Sequence, residues 1–332
     1  MREQVWIASG RTLRPFSRRL GIPCRGASVP TRRALCDFAS ERAYCQAVKQ
    51  LKEHYGVEAS ASMAAKCCME LGRELAGEEN LSPATALPPD GADLLLLEID
   101  GTMVPTLLGQ SEQGDRRKGR TLGYKEMRLA AARDLAKSDP VYAAGFYEVE
   151  QAGAAWSRCA LSAGWSMSTM THAVVDGAEW IRSQHERHFS SFGRALSDCY
   201  HVCEYLAAAF PKEEDYLRNK ARLLEERVED LLLELSRLAA EESSRDRPET
   251  PAADALRYIN NRYDSLFYAQ ARQAGLPLGS GLIESSHKHV LQSRLKIPGA
   301  WWKPGNANAM AKLRAAKANR RWDEIWSAKI AA

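Results

Sequence analysis

The sequence predicts an α/β chain: a mixed sheet interrupted by a helical insertion and preceded by a helical N-terminal region. Three observations predict it. Two short apolar runs, at 94–99 and at His172–Val175, each end in an aspartate followed by glycine, the pattern of buried strands closing on a turn. Apolar residues recur at helical spacing between 38 and 75 and again from 180 to 274. A Pro- and Gly-rich stretch at 77–93 interrupts every periodicity and reads as a linker.

Taken in order, Thr31-Arg32-Arg33-Ala34-Leu35 leads into a periodic stretch from Phe38 to His54, with Ala43, Ala47, Leu51 and His54 on one face. Tyr55-Gly56-Val57 breaks it, and a second helix follows from Ser62 to Leu75, offering Lys66, Glu70 and Arg73 as polar readers. Helix, Gly-containing turn and helix is a helix-turn-helix outline, so residues 1–76 read as a helical DNA-binding region. After the linker, residues 94–184 form the first part of a sheet core. The strand at 94–99 is followed by two further strands, or a strand entering a helix, at 119–132. A helix over Phe146–Ala163 stops before Gly164, and the strand His172–Val175 follows. Residues 185–275 form the helical insertion. Within it Leu217, Leu224, Val228, Leu231, Leu235 and Leu238 predict one long amphipathic helix over 212–242, able to pack internally or pair with another chain. A loop at 243–251 precedes a helix from Ala252 to Ala274, stopped by Gly275 and Pro277. Residues 276–332 close the core and add basic helices.

The 332 residues are 45% hydrophobic and 27% charged, with 11 Tyr, 8 Trp and 7 Phe, enough to build a core and too much to stay disordered. No apolar run approaches the roughly 18–20 residues of a membrane span, and the Arg-rich N-terminus lacks the apolar stretch of a secretory signal. The net charge of +4 conceals a pattern. Residues 1–50 carry ten basic and three acidic side chains, residues 285–332 ten basic and two acidic, and the middle is acidic. Basic ends of this kind suit a polyanion. The eight cysteines include no C-x-x-C pair, and a reduced compartment is expected. Cys199 and Cys203, with His185 and His188 upstream, could outline a zinc site, but their spacing matches no common finger.

Asp100 and Asp176 both end a strand and precede glycine, where an open sheet presents ligands. Two such carboxylates suit hard cations such as Mg²⁺. A third acidic group, Glu284, lies in the small-residue turn Gly279-Ser280-Gly281 that opens a helix. It is followed by Lys288, Arg294 and Lys296, and then by Pro298-Gly299-Ala300-Trp301-Trp302-Lys303-Pro304. Adjacent tryptophans between prolines are core plugs or a stacking platform for bases, and the core reading is the simpler.

The stretches TRRALCDFASERAYCQAV, GRTLGYKEMRLAAA, VVDGAEWI, DCYHVCEYLAAAF, GLPLGSGLIESSHKHVLQSRLKIPGAWW and LRAAKANRRWDEIW together resemble the ISKra-type insertion-sequence transposases, over residues 28 to 326. The resemblance implies an RNase H-like fold with a DDE site: Asp100 as the first-strand aspartate, Asp176 as the second and Glu284 as the closing glutamate. It implies two Mg²⁺ ions, with Mn²⁺ as a substitute, cleavage of element ends and strand transfer into target DNA. Asp198 and His201 match a D-x-x-H signature and are expected near the site. Lys288, Arg294, Lys296, Lys303 and Arg314 are expected to neutralise the DNA backbone. The partners implied are double-stranded DNA and further copies of the chain, with the 212–242 helix as one interface, in a bacterial cytoplasm beside the nucleoid. Relative to that family the segment ahead of the basic helices is short. Two rival readings are a catalytically silent, transposase-derived DNA-binding protein and a zinc-dependent nuclease or regulator built on His185, His188, Cys199 and Cys203.

Overall fold

The computed structural model describes residues 6–8, 11–19, 27–81, 86–110, 120–243 and 250–331. The loop at 243–251 and Cys24 fall largely or wholly outside them. The core sheet has five strands: β1 (Leu94–Gln110), β2 (Arg120–Asp134), β3 (Val141–Gly145), β4 (Met170–Val175) and β5 (Gly193–Ser197), in the order β3-β2-β1-β4-β5. β2 runs antiparallel to its neighbours β1 and β3, while β4 runs parallel to β1 and β5 parallel to β4. A small separate sheet pairs Trp6–Ala8 with Arg11–Leu13.

Alternation along β1 assigns its two faces. Leu95, Leu97 and Ile99 enter one core with Trp156 and Cys159 of α4 (Val149–Ala163) and with Ile181 and Phe189 of α5 (Glu179–Phe189). The opposite face carries Glu98, Asp100, Thr102 and Val104. Val104, Met127 and Leu129 there join a second core, built with α1 (Val29–Glu41), α2 (Tyr44–Tyr55) and α3 (Ala61–Leu81) and with the C-terminal helices. The expected strand at 94–99 is thus the buried third of a much longer one. The apolar run is short because the distal part of β1 pairs only with β2 and with a single bridge to Trp302.

The insertion builds its own core from α6 (Cys199–Ala209), α7 (Glu213–Leu224), α8 (Val228–Ser243), α9 (Pro251–Asn260) and α10 (Tyr268–Gln273). The single helix expected over 212–242 is corrected to two. Glu226 takes a left-handed conformation (φ 58°), and α8 folds back on α7 through Arg218 and Arg222, which both pair with Glu234. Leu223, Val228, Leu231 and Leu235 are spent on the insertion's own core, so the interface expected of a continuous helix is withdrawn.

α11 begins as Gly281–Ser286, passes through a π turn at His287–Gln292 and ends as Ser293–Leu295; α12 (Pro304–Ala318) and α13 (Trp322–Ala331) follow. The reading of α3 as a free recognition helix changes in the structure. Its Ala64, Cys68, Leu71 and Leu75 are buried, Gly72 lies directly against the Ala309 carbonyl of α12, and Arg73 donates to Asn306. Lys66 and Arg73 stay exposed, but Lys66 pairs with Glu70 along the same helix. The linker also starts later than its composition suggests. α3 runs on to Leu81, and its Glu79 accepts from Tyr147 at 2.6 Å, from Arg158 at 2.8 Å and from Lys312. Among the described residues no helix is long and apolar enough to cross a membrane.

Candidate active site

Parallel pairing of β1 with β4 reaches Leu97 opposite Ala173. Asp100 and Asp176 each follow that last pair by three residues, Asp100 within β1 and Asp176 just past the end of β4, and they are near enough for the charge of Asp100 to act on Asp176. Asp100 Oδ1 accepts from the Gly101 amide at 2.6 Å, and Oδ2 lies 3.3 Å from Nε2 of the buried His287. Neither ring nitrogen of His287 makes a hydrogen bond. The π turn that starts at His287 brings this ring to Asp100, a distortion of the kind that recurs at functional positions. Asp176 Oδ1 accepts from the Ala178 amide at 2.9 Å. Burial raises its pKa above the ordinary carboxylate range, and the charge of Asp100 adds to the rise.

Glu284 occupies the exposed side of the first turn of α11. The loop that delivers it is stitched to the sheet at four points. His172 on β4 bonds the Pro277 carbonyl at 2.8 Å, and the Cys199 amide donates to the Leu278 carbonyl at 2.9 Å. Asp198 Oδ2 accepts from the Ser280 amide at 2.8 Å and from its hydroxyl. Glu98 Oε2 accepts from the Ile283 amide at 2.6 Å. Every tether ends on main chain or on Ser280, and all four come from elements that also carry or flank Asp100 and Asp176. The site therefore has two acidic groups within electrostatic reach at the sheet and a third on a pinned helix start at the rim. Among the described residues no three His, Cys, Asp or Glu side chains converge closely enough to enclose a metal ion.

Asp198 is fully buried. Besides gripping Ser280 it caps α6, accepting from the Tyr200 amide at 2.7 Å and the His201 amide at 3.4 Å. With its oxygens committed to these donors it braces the loop of Glu284 and is not offered to DNA. His201 is half-exposed beside Glu204, at 3.3 Å. Burial pulls its pKa down, but the carboxylates of Glu204, Asp198 and Asp176 outweigh this and raise it overall. Glu98 and His172, which the sequence places only within strands, belong to the site's supports. The available signal for Glu98 was a lone carboxylate inside the apolar run, two residues before Asp100. Burial, with Asp198 and Glu284 nearby, pushes its pKa up to about 8.

The basic residues divide. Lys288, Lys296 and Lys303 are exposed, and Lys296 reaches Thr102 Oγ1 at 2.9 Å, two residues beyond Asp100. Arg294 and Arg314 are corrected: both are buried, at 2% and 6% exposure. Arg294 donates to the Ala39 carbonyl at 2.8 Å and lies over the rings of Tyr44 and Trp302. Arg314 donates to the carbonyls of Ser40, Val290 and His289 and pairs with Glu41. Together with Lys317, which pairs with Asp37 and Glu41, they satisfy the carbonyl end of α1, where a helix dipole favours cations. This capping also ends α1 at Glu41, where the sequence had suggested an uninterrupted helix to His54. Trp302 is buried and Trp301 stays partly exposed beside Tyr124. The residues of the zinc reading are not gathered: His185 packs on Trp156 and Phe189 below the sheet, while Cys199 and Cys203 lie in the insertion's core.

No family model matches the chain, and no curated protein matches it. Among solved structures it is similar to the Drosophila P element transposase strand transfer complex, at 11% identity and a TM-score of 0.41, over 94% of this chain and 96% of that one. At that level the likeness assigns neither an activity nor residues, and a reading of function rests on the site itself.

Proposed function

We propose that the protein is a DNA transposase of the ISKra insertion-sequence type, with an RNase H-like core whose acidic triad is Asp100, Asp176 and Glu284. The observation that carries the reading is that Asp100 on β1 and Asp176 at the end of the adjoining β4 lie within electrostatic reach, with the loop of Glu284 tethered to the same two strands through Glu98 and His172. Carboxylate oxygens are the donors that Mg²⁺ takes. The burial of Asp176 next to the charge of Asp100 describes a pair that a cation would relieve, so Asp100 and Asp176 fit the group and Glu284 would close on it from the rim. Two Mg²⁺ ions, or Mn²⁺ in their place, would supply activation of the attacking oxygen and stabilisation of the leaving one.

The chain's own residues hold and orient. His287 backs Asp100. Glu98, fully buried, holds the Ile283 amide and with it the start of the helix that carries Glu284. Lys288, Lys296 and Lys303 offer the exposed cations for the backbone of a double-stranded element end or target. Bridging two ends calls for more than one copy of the chain, so a homo-oligomer belongs to the proposal. The test is Asp100→Ala with a duplex carrying the element end. Mg²⁺-dependent cleavage is expected to fall by about 100-fold or more while duplex binding is retained. Cleavage at the wild-type rate would remove the triad, and with it the transposase reading.

A further inference from the structure

The turn after β4 is held by the insertion. Tyr258, near the end of α9, donates its hydroxyl to the Asp176 carbonyl at 2.9 Å. Arg262, four residues on, donates from Nη2 to the Gly177 carbonyl at 2.7 Å and from Nη1 to the Tyr258 carbonyl at 3.1 Å. Its guanidinium lies 3.6 Å from the centroid of the Tyr258 ring, whose other partner is Tyr205, stacked at 3.9 Å and 18°. The guanidinium is therefore fixed in orientation by a ring, a carbonyl of the last turn of α9 and the carbonyl it clamps. Gly177 makes the approach possible. It sits at φ 84°, and a Cβ there would collide with Arg262 Nε. That Nε is buried and makes no hydrogen bond, a cost the fold accepts to keep the fork on the turn.

We propose that Tyr258 and Arg262 are positioning residues for Asp176, through which docking of the helical insertion sets the second carboxylate of the site. Both hold consecutive main-chain carbonyls, at 176 and 177, and neither touches the carboxylate. The insertion is thereby a working part of the sheet site. Loosening the clamp lets the turn relax and swings Asp176 away from Asp100, while the sheet, the insertion core and the exposed lysines stay as they are.

This inference rests on the proposed metal-dependent reading, and the experiment separates the two. Full-length Tyr258→Phe, Arg262→Gln and Arg262→Lys are compared with Asp100→Ala and Asp176→Asn. Mn²⁺ binding is measured by calorimetry, and hydrogen exchange is followed at the Ala178 amide, which donates to Asp176 Oδ1 and needs no metal. Tyr258→Phe and Arg262→Gln are expected to weaken Mn²⁺ binding by about tenfold and to speed exchange at Ala178, with Arg262→Lys recovering part of both. Tyr258→Phe removes one oxygen from a half-buried stack and keeps the variant set interpretable if Arg262→Gln folds poorly. Wild-type Mn²⁺ affinity and wild-type exchange in both variants, alongside loss of binding in Asp176→Asn, would overturn the clamp and leave the function standing. Mn²⁺ binding unchanged in Asp100→Ala and Asp176→Asn would overturn the metal reading itself, and the clamp's role with it.

Discussion

Asp198 joins the insertion to the loop of Glu284, and replacing it with asparagine dissects that joint. The asparagine carbonyl oxygen can still accept from the amides of Tyr200 and His201, so the cap of α6 survives. The amide nitrogen then faces the Ser280 N–H where Oδ2 had accepted, setting donor against donor in a fully buried place. A hydrogen bond to a charged group contributes about 1.5–3 kcal/mol, and a stranded buried donor costs about 1–3 kcal/mol. The Ser280 hydroxyl can turn to accept from the new amide and recover part, which leaves a local cost of about 2–3 kcal/mol. Asp198→Ala forfeits the cap as well, about 1 kcal/mol more. Hydrogen exchange at the Ser280 and Ile283 amides reads this directly: at tenfold per 1.4 kcal/mol, Asp198→Asn should speed it by about 30- to 150-fold while Tyr200 stays protected. Cleavage should fall with it, since a shift of about 1 Å in a catalytic group can cost 10²-fold, and duplex binding should hold. Unchanged protection at Ser280 and Ile283, or equal loss at Tyr200, would refute the joint.

Two further outcomes follow from packing and burial. Gly72→Ala should cost about 1–3 kcal/mol, because the new methyl meets the Ala309 carbonyl and forces α3 from α12, whereas Gly77→Ala, in open space on the same helix, should be neutral or stabilising; thermal unfolding of the pair checks this. Glu98 keeps its proton to about pH 8 when folded, against an ordinary glutamate value near 4.3 in the unfolded chain. The folded state therefore binds the extra proton between these values, and stability drains as pH rises through that window and levels off above pH 8. Glu98→Gln, which can still accept from Ile283, should remove this slope. Its advantage over wild type is expected to be small at pH 4.5 and to grow to the order of 4 kcal/mol by pH 8, in urea unfolding with chelator present. Parallel profiles would refute it.

The Asp-Gly at 176–177 was legible because a buried parallel strand ending at a turn leaves a plain mark on the sequence, whereas Asp100-Gly101, expected to end a strand, lies inside one that runs on to Gln110. The helix start at Glu284, with its glycines, was legible too. What holds these groups in place left far less. Asp198, His172, Tyr258 and Arg262 act on carbonyls and amides, which every residue carries, so no partner residue type exists for a pattern to match. The fold-back between α7 and α8 was hidden for a related reason. Its left-handed residue is Glu226, where glycine or asparagine would have announced the turn.

Charge misled in a more instructive way. Counting cations at the C-terminal end finds a basic face, yet Arg294, Arg314 and Lys317 close the carbonyl end of α1. They lie far from α1 in sequence, so neither spacing nor composition could connect them. Arginine suits this internal task because its planar fork serves several carbonyls at once, as Arg314 does for Ser40, Val290 and His289. The exposed lysines, with single mobile ammonium groups, remain for a polyanion. If that division holds, the salt dependence of duplex binding separates the two classes. Lys288→Ala, Lys296→Ala or Lys303→Ala should each lower the slope of log K against log salt by about one. Arg294→Ala should leave the slope and lower stability, because it strips a buried helix end. A drop in slope for Arg294→Ala with unchanged stability would return that residue to the DNA face.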